Sequence, residues 1–131
     1  MVANLITTRC FSSLDEATFY LSEQSPTGVI AIIVILSYPL SGFEDITFGK
    51  QLAKMNCGNI VIHGDSAALL ELSIDQEYVT ACLDGLQEPK EGSFITMCVD
   101  DSEIDEWPQW CVETNEYSDI YVFRVGVDTR Q

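Results

Sequence analysis

The segment Val29–Leu36 is the feature of this sequence that most restricts the possible fold. It reads VIAIIVIL, is apolar throughout and mostly β-branched, and lies between Pro26–Gly28 and Ser37–Gly42. A short run without polar alternation is typical of a strand that is buried on both faces of a sheet. We therefore predict a central strand here, with helices covering the sheet on each side.

Helical and strand-like patterns alternate along the rest of the chain. The predicted helices span residues 12–24, 41–56 and 65–86, the last as one helix or as two joined near Ser73. The further strands span residues 59–63, 94–99 and 120–127. We expect an additional edge strand at 2–11, and we also place 120–127 near an edge because its apolar and polar residues alternate. In the long helix, the residues at steps of four are predicted to share a buried face: Ile74, Tyr78, Cys82 and Leu86.

This alternation of strands and helices predicts an α/β fold. We expect residues 1–131 to form a single-domain three-layer sandwich with a mostly parallel sheet of four to five strands flanked by helices. The chain is long enough for one substantial core and short for two domains.

Charge is distributed unevenly along the chain, whose formal net charge is −15. Residues 1–70 contain six acidic and three basic residues, whereas 71–131 contain fifteen acidic and three basic ones. No Lys or Arg lies between Lys90 and Arg124, and eight Asp and Glu residues lie between positions 100 and 119. Such a field repels nucleic acid and anionic membranes and attracts cationic surfaces. Solubility alone is the competing explanation for the acidity.

The five cysteines do not have the spacing of a metal site or of a secreted disulfide framework. They are Cys10, Cys57, Cys82, Cys98 and Cys111, with no C-x-x-C pair, and His63 is the one histidine of the sequence. We expect buried free thiols in a reducing compartment and no cofactor. The longest apolar run is far shorter than the roughly 20 residues that span a bilayer, so we predict a soluble cytoplasmic protein.

Three predicted loops follow strands, where ligands bind in open α/β sheets. The loop Ser37–Gly42 has no phosphate-binding glycine motif, and acidic residues occupy the next helical turn. The segment His63–Ser66 resembles a catalytic trio, but a helix cap at Asp65 or Ser66 explains it more simply. The segment Asp100–Glu106 is rich in metal-type ligands without matching an EF-hand loop. We predict no catalytic residue and no metal ligand.

Carboxylates and tryptophans are interleaved in the third of these segments and after it. Tryptophans often anchor protein interfaces, and surrounding carboxylates steer and pair with Arg or Lys of a partner. Because Trp107 and Trp110 are three residues apart, we expect one to be in the core and the other exposed. The predicted partner-binding residues are Asp100, Asp101, Glu103, Asp105, Glu106, Trp107, Trp110, Glu113 and Glu116.

These observations favour a non-enzymatic acidic binding protein. Small size, acidity and the lack of catalytic motifs are typical of immunity proteins and antitoxins, which neutralise a basic, nuclease-like toxin by binding it. We expect a basic protein partner and no direct contact with nucleic acid or membrane. Two alternatives stay open: a small-ligand or metal-binding enzyme that uses the strand-end crevice, and an adaptor subunit of a larger assembly.

Overall fold

A five-stranded sheet forms the centre of the computed structural model, which describes residues 5–85 and 95–126. The strands are β1 (Leu5–Phe11), β2 (Ile30–Leu36), β3 (Cys57–Gly64), β4 (Ile95–Cys98) and β5 (Asp119–Val125). Their order across the sheet is β1-β5-β2-β3-β4, and every neighbouring pair is parallel. The predicted α/β class with a mostly parallel sheet is confirmed.

Helices cover both faces of this sheet. They are α1 (Leu14–Ser22), α2 (Glu44–Ala53), α3 (Ala67–Leu83), α4 (Asp101–Ile104) and α5 (Trp107–Thr114). Helices α1, α2 and α3 pack on one face, and α4 and α5 pack on the other. Right-handed crossovers explain this division, because the chain crosses the sheet in one direction from β1 to β4 and returns from β4 to β5. The result is the predicted three-layer sandwich.

The segment predicted as a central buried strand is the middle strand, β2. Ile32 and Val34 are fully buried against the cluster formed with α1, α2 and α3. Ala31 and Ile33 are buried against the cluster on the opposite face. Both faces of this strand therefore exclude water, which accounts for the absence of polar alternation in its sequence.

Strand β5, predicted to lie nearer an edge, is second from the edge of the sheet, where it pairs with β1 on one side and with β2 on the other. Tyr121, Val122 and Phe123 are buried in succession, so both faces of β5 are covered. The apparent alternation comes from Arg124, which is exposed near the end of the strand. The opening strand β1 takes the edge position, as predicted, and residue 127 lies outside the described residues.

Helix α3 has less of a buried face than its sequence suggests. Of the four residues predicted to share that face, Ile74 is fully buried, Tyr78 and Cys82 are half-buried, and Leu86 lies outside the described residues. Four other large apolar side chains of this helix are exposed: Leu69, Leu72, Val79 and Leu83. The spacing of apolar residues by four thus predicted the helix correctly. It did not predict which of its apolar residues face the core.

Tyr38 connects the loop after β2 to the starts of two helices. Its hydroxyl donates a hydrogen bond to Glu44 Oε1 at 2.6 Å and accepts one from the backbone N–H of Leu14 at 2.8 Å. Burial and the interaction with Glu44 raise the pKa of Tyr38 to about 12. The loop after β2 thus orders α1 and α2 relative to this strand.

Tyr38→Phe is expected to lower the free energy of unfolding by about 1–2 kcal/mol near neutral pH, because the Leu14 N–H and Glu44 lose a partner. The folded-state pKa of Tyr38 lies above the ordinary value of 10.0. Its contribution should therefore be complete below pH 10 and disappear as the pH rises through about 12. Urea unfolding of both proteins across this pH range measures the difference, and equal stability near neutral pH would contradict the assignment.

Within residues 5–85 and 95–126, every helix is too short or too polar to cross a bilayer.

Candidate protein-interaction site

His63 connects the end of β3 to the acidic segment that follows β4. Its Nδ1 lies 2.8 Å from the Val99 carbonyl oxygen, and its Nε2 lies 2.6 Å from a carboxylate oxygen of Asp101. Both neighbours are acceptors, so the ring donates to both when each nitrogen carries a hydrogen. Asp101 is 96% exposed, and the pair therefore serves mainly to position the start of α4.

Ser66 takes part in a different loop contact. Its hydroxyl accepts a hydrogen bond from the Leu40 N–H at 3.0 Å and thereby joins the loops after β2 and β3. Ser66 occupies the N-cap position of α3 with a left-handed φ of 59°, but its side chain makes no capping hydrogen bond. Of the two predicted cap positions, Ser66 is therefore the N-cap, and its hydroxyl is directed towards the neighbouring loop.

Local signals in the sequence set the bounds of the two short helices on the other face. Asp100 caps α4 by accepting from the Ser102 N–H at 3.1 Å and the Ser102 hydroxyl at 2.7 Å, and these bonds lower the pKa of Asp100. Pro108 lies in the first turn of α5, where its missing N–H costs no helical hydrogen bond. Asn115, with a left-handed φ of 56°, ends the helix.

Two buried residues attach these helices to the sheet. Ile104 and Cys111 both belong to the apolar cluster beneath α4 and α5. Backbone hydrogen bonds continue through the junction, from Glu106 N to Glu103 O at 3.1 Å and from Trp110 N to Glu106 O at 3.1 Å. Residues 103–111 therefore follow a nearly continuous helical path, with one side fixed to the sheet and the other facing outward.

Four of the predicted partner-binding residues line one cleft on the outward side, of about 230 Å³. They are Glu103, Glu106, Trp107 and Trp110, which we call the Trp cleft. Their positions correspond to i, i+3, i+4 and i+7, the spacing of residues on one helical face. This helical spacing is the feature of the sequence that identifies the four cleft residues. Charge and aromatic content alone do not separate them from the other predicted partner-binding residues.

The two tryptophans differ in exposure: one is exposed, as predicted, but the other is only partly buried and does not belong to the core. Trp107 is half-buried and packs against the inner cluster, whereas Trp110 is 44% exposed. Their rings meet edge to face, with centroids 4.9 Å apart and an interplanar angle of 71°. Trp107 is thus held by the core and in turn supports Trp110, so that two indole surfaces meet at an angle beside two carboxylates.

The other predicted partner-binding residues lie around the cleft or beyond it. Asp101 pairs with His63, and Asp100 caps α4. The remaining three are exposed and do not line the cleft: Asp105, Glu113 and Glu116. The structure therefore divides the predicted set into a cleft of four residues and a surrounding group of carboxylates.

A second concavity of similar chemistry lies on the opposite face of the sheet and was missed by sequence analysis. It is about 440 Å³ in volume and is lined by Phe11, Asp15, Glu16, Phe19, Tyr20 and Glu23. The guanidinium carbon of Arg9 lies 5.2 Å from the centre of the Tyr20 ring. Arg9 thus makes a cation–π contact with one of the aromatic rings that line this concavity.

The described residues contain no group of three His, Cys, Asp or Glu side chains close enough to hold a metal ion. The expectation of buried thiols holds for Cys57 and Cys111, whereas Cys10 and Cys98 are exposed and Cys82 is intermediate. Burial raises the pKa of Cys111 to about 11.

Comparison of the chain with protein-family models, curated proteins and solved structures found no match.

Proposed function

We propose that this chain is a non-enzymatic acidic binding protein that captures a basic protein partner. The observation that carries the proposal is the Trp cleft, in which two carboxylates and two tryptophans share one outward helical face. The segment that forms this face, residues 95–123, contains no Lys or Arg. An exposed tryptophan with acidic neighbours has the chemistry of an interface anchor for a cationic surface.

The surrounding carboxylates contribute to the rate of capture. A cation-free acidic surface attracts a basic protein before contact, and such steering raises association rates to about 10⁸–10⁹ M⁻¹s⁻¹ at low salt. The tryptophans would act after encounter, since buried aromatic contacts mainly slow dissociation. Acidity and aromatic content thus serve two successive steps of one binding event.

Within this class we propose an inhibitor of the immunity or antitoxin type, acting in the cytoplasm on a nuclease-like toxin. A nuclease binds its substrate through a basic surface, and an acidic protein of this size can cover such a surface. The distribution of charge supports this assignment, because two carboxylates line the cleft and further exposed carboxylates lie in the same segment of the chain. An adaptor subunit would use the same surface without abolishing the activity of its partner.

An enzyme that uses the strand-end edge is a second candidate, and the contact between His63 and Asp101 is the observation that favours it. A general base needs a ring nitrogen that can reach substrate. In this structure both ring nitrogens of His63 face acceptors of the protein itself. The binding function is therefore better supported than catalysis.

Co-purification from the native host tests the proposal. The tagged chain is isolated at low salt from a nuclease-treated lysate, and the retained basic protein is assayed for cleavage of nucleic acid. We expect activity to fall to zero as the chain reaches equimolar amounts, and we expect Glu103→Lys/Glu106→Lys to need a large excess. Full activity of the complex would contradict inhibition, and retention of no basic protein would contradict the binding function.

A further inference from the structure

We propose that the Trp cleft binds the guanidinium group of an arginine side chain. In a partner protein this arginine would be the central anchor of the interface, and that part of the inference rests on the proposed function. Recognition of the guanidinium group itself depends only on the four residues of the cleft.

The chemistry of the cleft matches a planar cation. Tryptophan is the aromatic side chain that attracts cations most strongly through its ring face. The guanidinium group is planar, is weakly hydrated, and carries five N–H donors in a fixed geometry that suits carboxylates and stacks on aromatic rings. Glu103 and Glu106 supply acceptors, while Trp107 and Trp110 supply two indole surfaces at 71° to each other. A lysine ammonium would share the charge but not the stacking surface.

The cleft is also held in place before any ligand arrives. Ile104 and Cys111 are buried beneath it, and Trp107 packs on the same cluster. Of the two tryptophans only Trp110 is exposed, and its ring packs edge to face with that of Trp107. A site that needs little ordering on binding retains more of its interaction energy.

Charge complementarity defines the occupant. The two cleft carboxylates lie in a segment that supplies no cation of its own, since residues 95–123 contain no Lys or Arg. The concavity on the opposite face of the sheet is also lined by aromatic rings and carboxylates, and the guanidinium carbon of Arg9 lies 5.2 Å from the centre of one of these rings, Tyr20. An arginine of this chain thus already lies over an aromatic ring, whereas residues 95–123 supply no arginine to the Trp cleft.

Intrinsic fluorescence provides a specific readout, because Trp107 and Trp110 are the two tryptophans of the chain. The probe is Nα-acetyl-arginine amide, titrated at low salt, and its neutral isostere Nα-acetyl-citrulline amide is the control. We expect a saturable change in emission with the arginine probe and no saturable change with citrulline. The lysine analogue is expected to bind several-fold more weakly, and equal responses to arginine and citrulline would overturn the proposal.

Two double variants with the same charge change separate the cleft from the general acidic field. Glu103→Gln/Glu106→Gln neutralises the cleft, whereas Asp105→Asn/Glu113→Gln neutralises two exposed carboxylates that do not line it. We expect the first to weaken arginine binding about tenfold, and the second to leave it within about twofold. Equal weakening in both variants would overturn a specific site.

The same variants distinguish failure of this inference from failure of the proposed function. Arginine binding in the cleft without any captured basic protein would support the site and contradict the function. Capture of a basic protein with the same affinity by Glu103→Gln/Glu106→Gln and by the unmodified chain would support the function and overturn the arginine site.

Discussion

Gly64→Ala is expected to lower the free energy of unfolding by about 3–5 kcal/mol, through backbone strain and overpacking together. Gly64 ends β3 with a φ of +106°, a conformation that L side chains rarely adopt. A Cβ added there would lie 2.0 Å from the carbonyl oxygen of Leu36 on the neighbouring strand. The backbone of both residues is held by the pairing of β2 with β3, so neither can move to relieve the clash without breaking sheet hydrogen bonds. Urea unfolding followed by circular dichroism measures the loss.

Gly42→Ala is the matched control for this prediction. Gly42 also has a positive φ, of +64°, but a Cβ there would meet nothing within 4 Å. We expect a loss of only about 1–2 kcal/mol, which is the cost of the left-handed conformation alone. Similar losses at both positions would contradict the close approach of Gly64 to Leu36.

Asp105→Lys/Glu106→Lys is expected to slow association with the captured basic partner by about tenfold or more at low salt. Both side chains are exposed on the outward side of α4 and α5, so the fold should persist. Reversal replaces two attractive charges with two repulsive ones at the point of encounter. Stopped-flow mixing at low and high salt measures the rate, and the difference between the proteins should shrink as salt screens the field.

The control reverses two carboxylates on the opposite face of the sheet. Glu23 and Asp84 are exposed at the C-terminal ends of α1 and α3, where a lysine is favourable to the helix dipole. Glu23→Lys/Asp84→Lys changes the net charge by the same amount and should slow association much less. If both double variants slow association equally, total charge governs capture and the acidic face has no special role.

Much of the fold could be predicted because local patterns report burial directly. The apolar segment that became β2 has no polar residue on either face, and only a central strand satisfies that arrangement. The start of α1 could also be predicted from the sequence, since Ser13 and Glu16 form the capping box that their spacing suggests.

Strand order was less accessible, because it depends on pairing between distant segments. The position of β5 depends on β1 pairing outside it, and the pattern of β5 alone does not contain that information. Arg124 gave the strand an edge-like pattern although the preceding residues are buried on both faces. In α3, apolar composition was sufficient for a helix, but only packing against α2 decides that Leu70 is buried and Leu72 exposed.

The candidate site was located by composition and resolved by geometry. Charge and tryptophan content marked the segment after β4, yet they selected nine residues without ranking them. Residues 103–111 follow a helical path, with Ile104 and Cys111 on its buried side. Only this geometry separates the four residues that line the cleft from the other five. The contact between His63 and Asp101 could not be predicted from the sequence either, since it joins residues that follow two different strands.

The salt dependence of partner affinity tests the central claim most directly. The dissociation constant of the captured basic protein is measured from about 50 to about 500 mM salt, a range over which screening becomes strong. We expect affinity to fall by more than about tenfold for the unmodified chain, and to change much less for Asp105→Lys/Glu106→Lys. An affinity that is independent of salt in the unmodified chain would contradict capture by the acidic face.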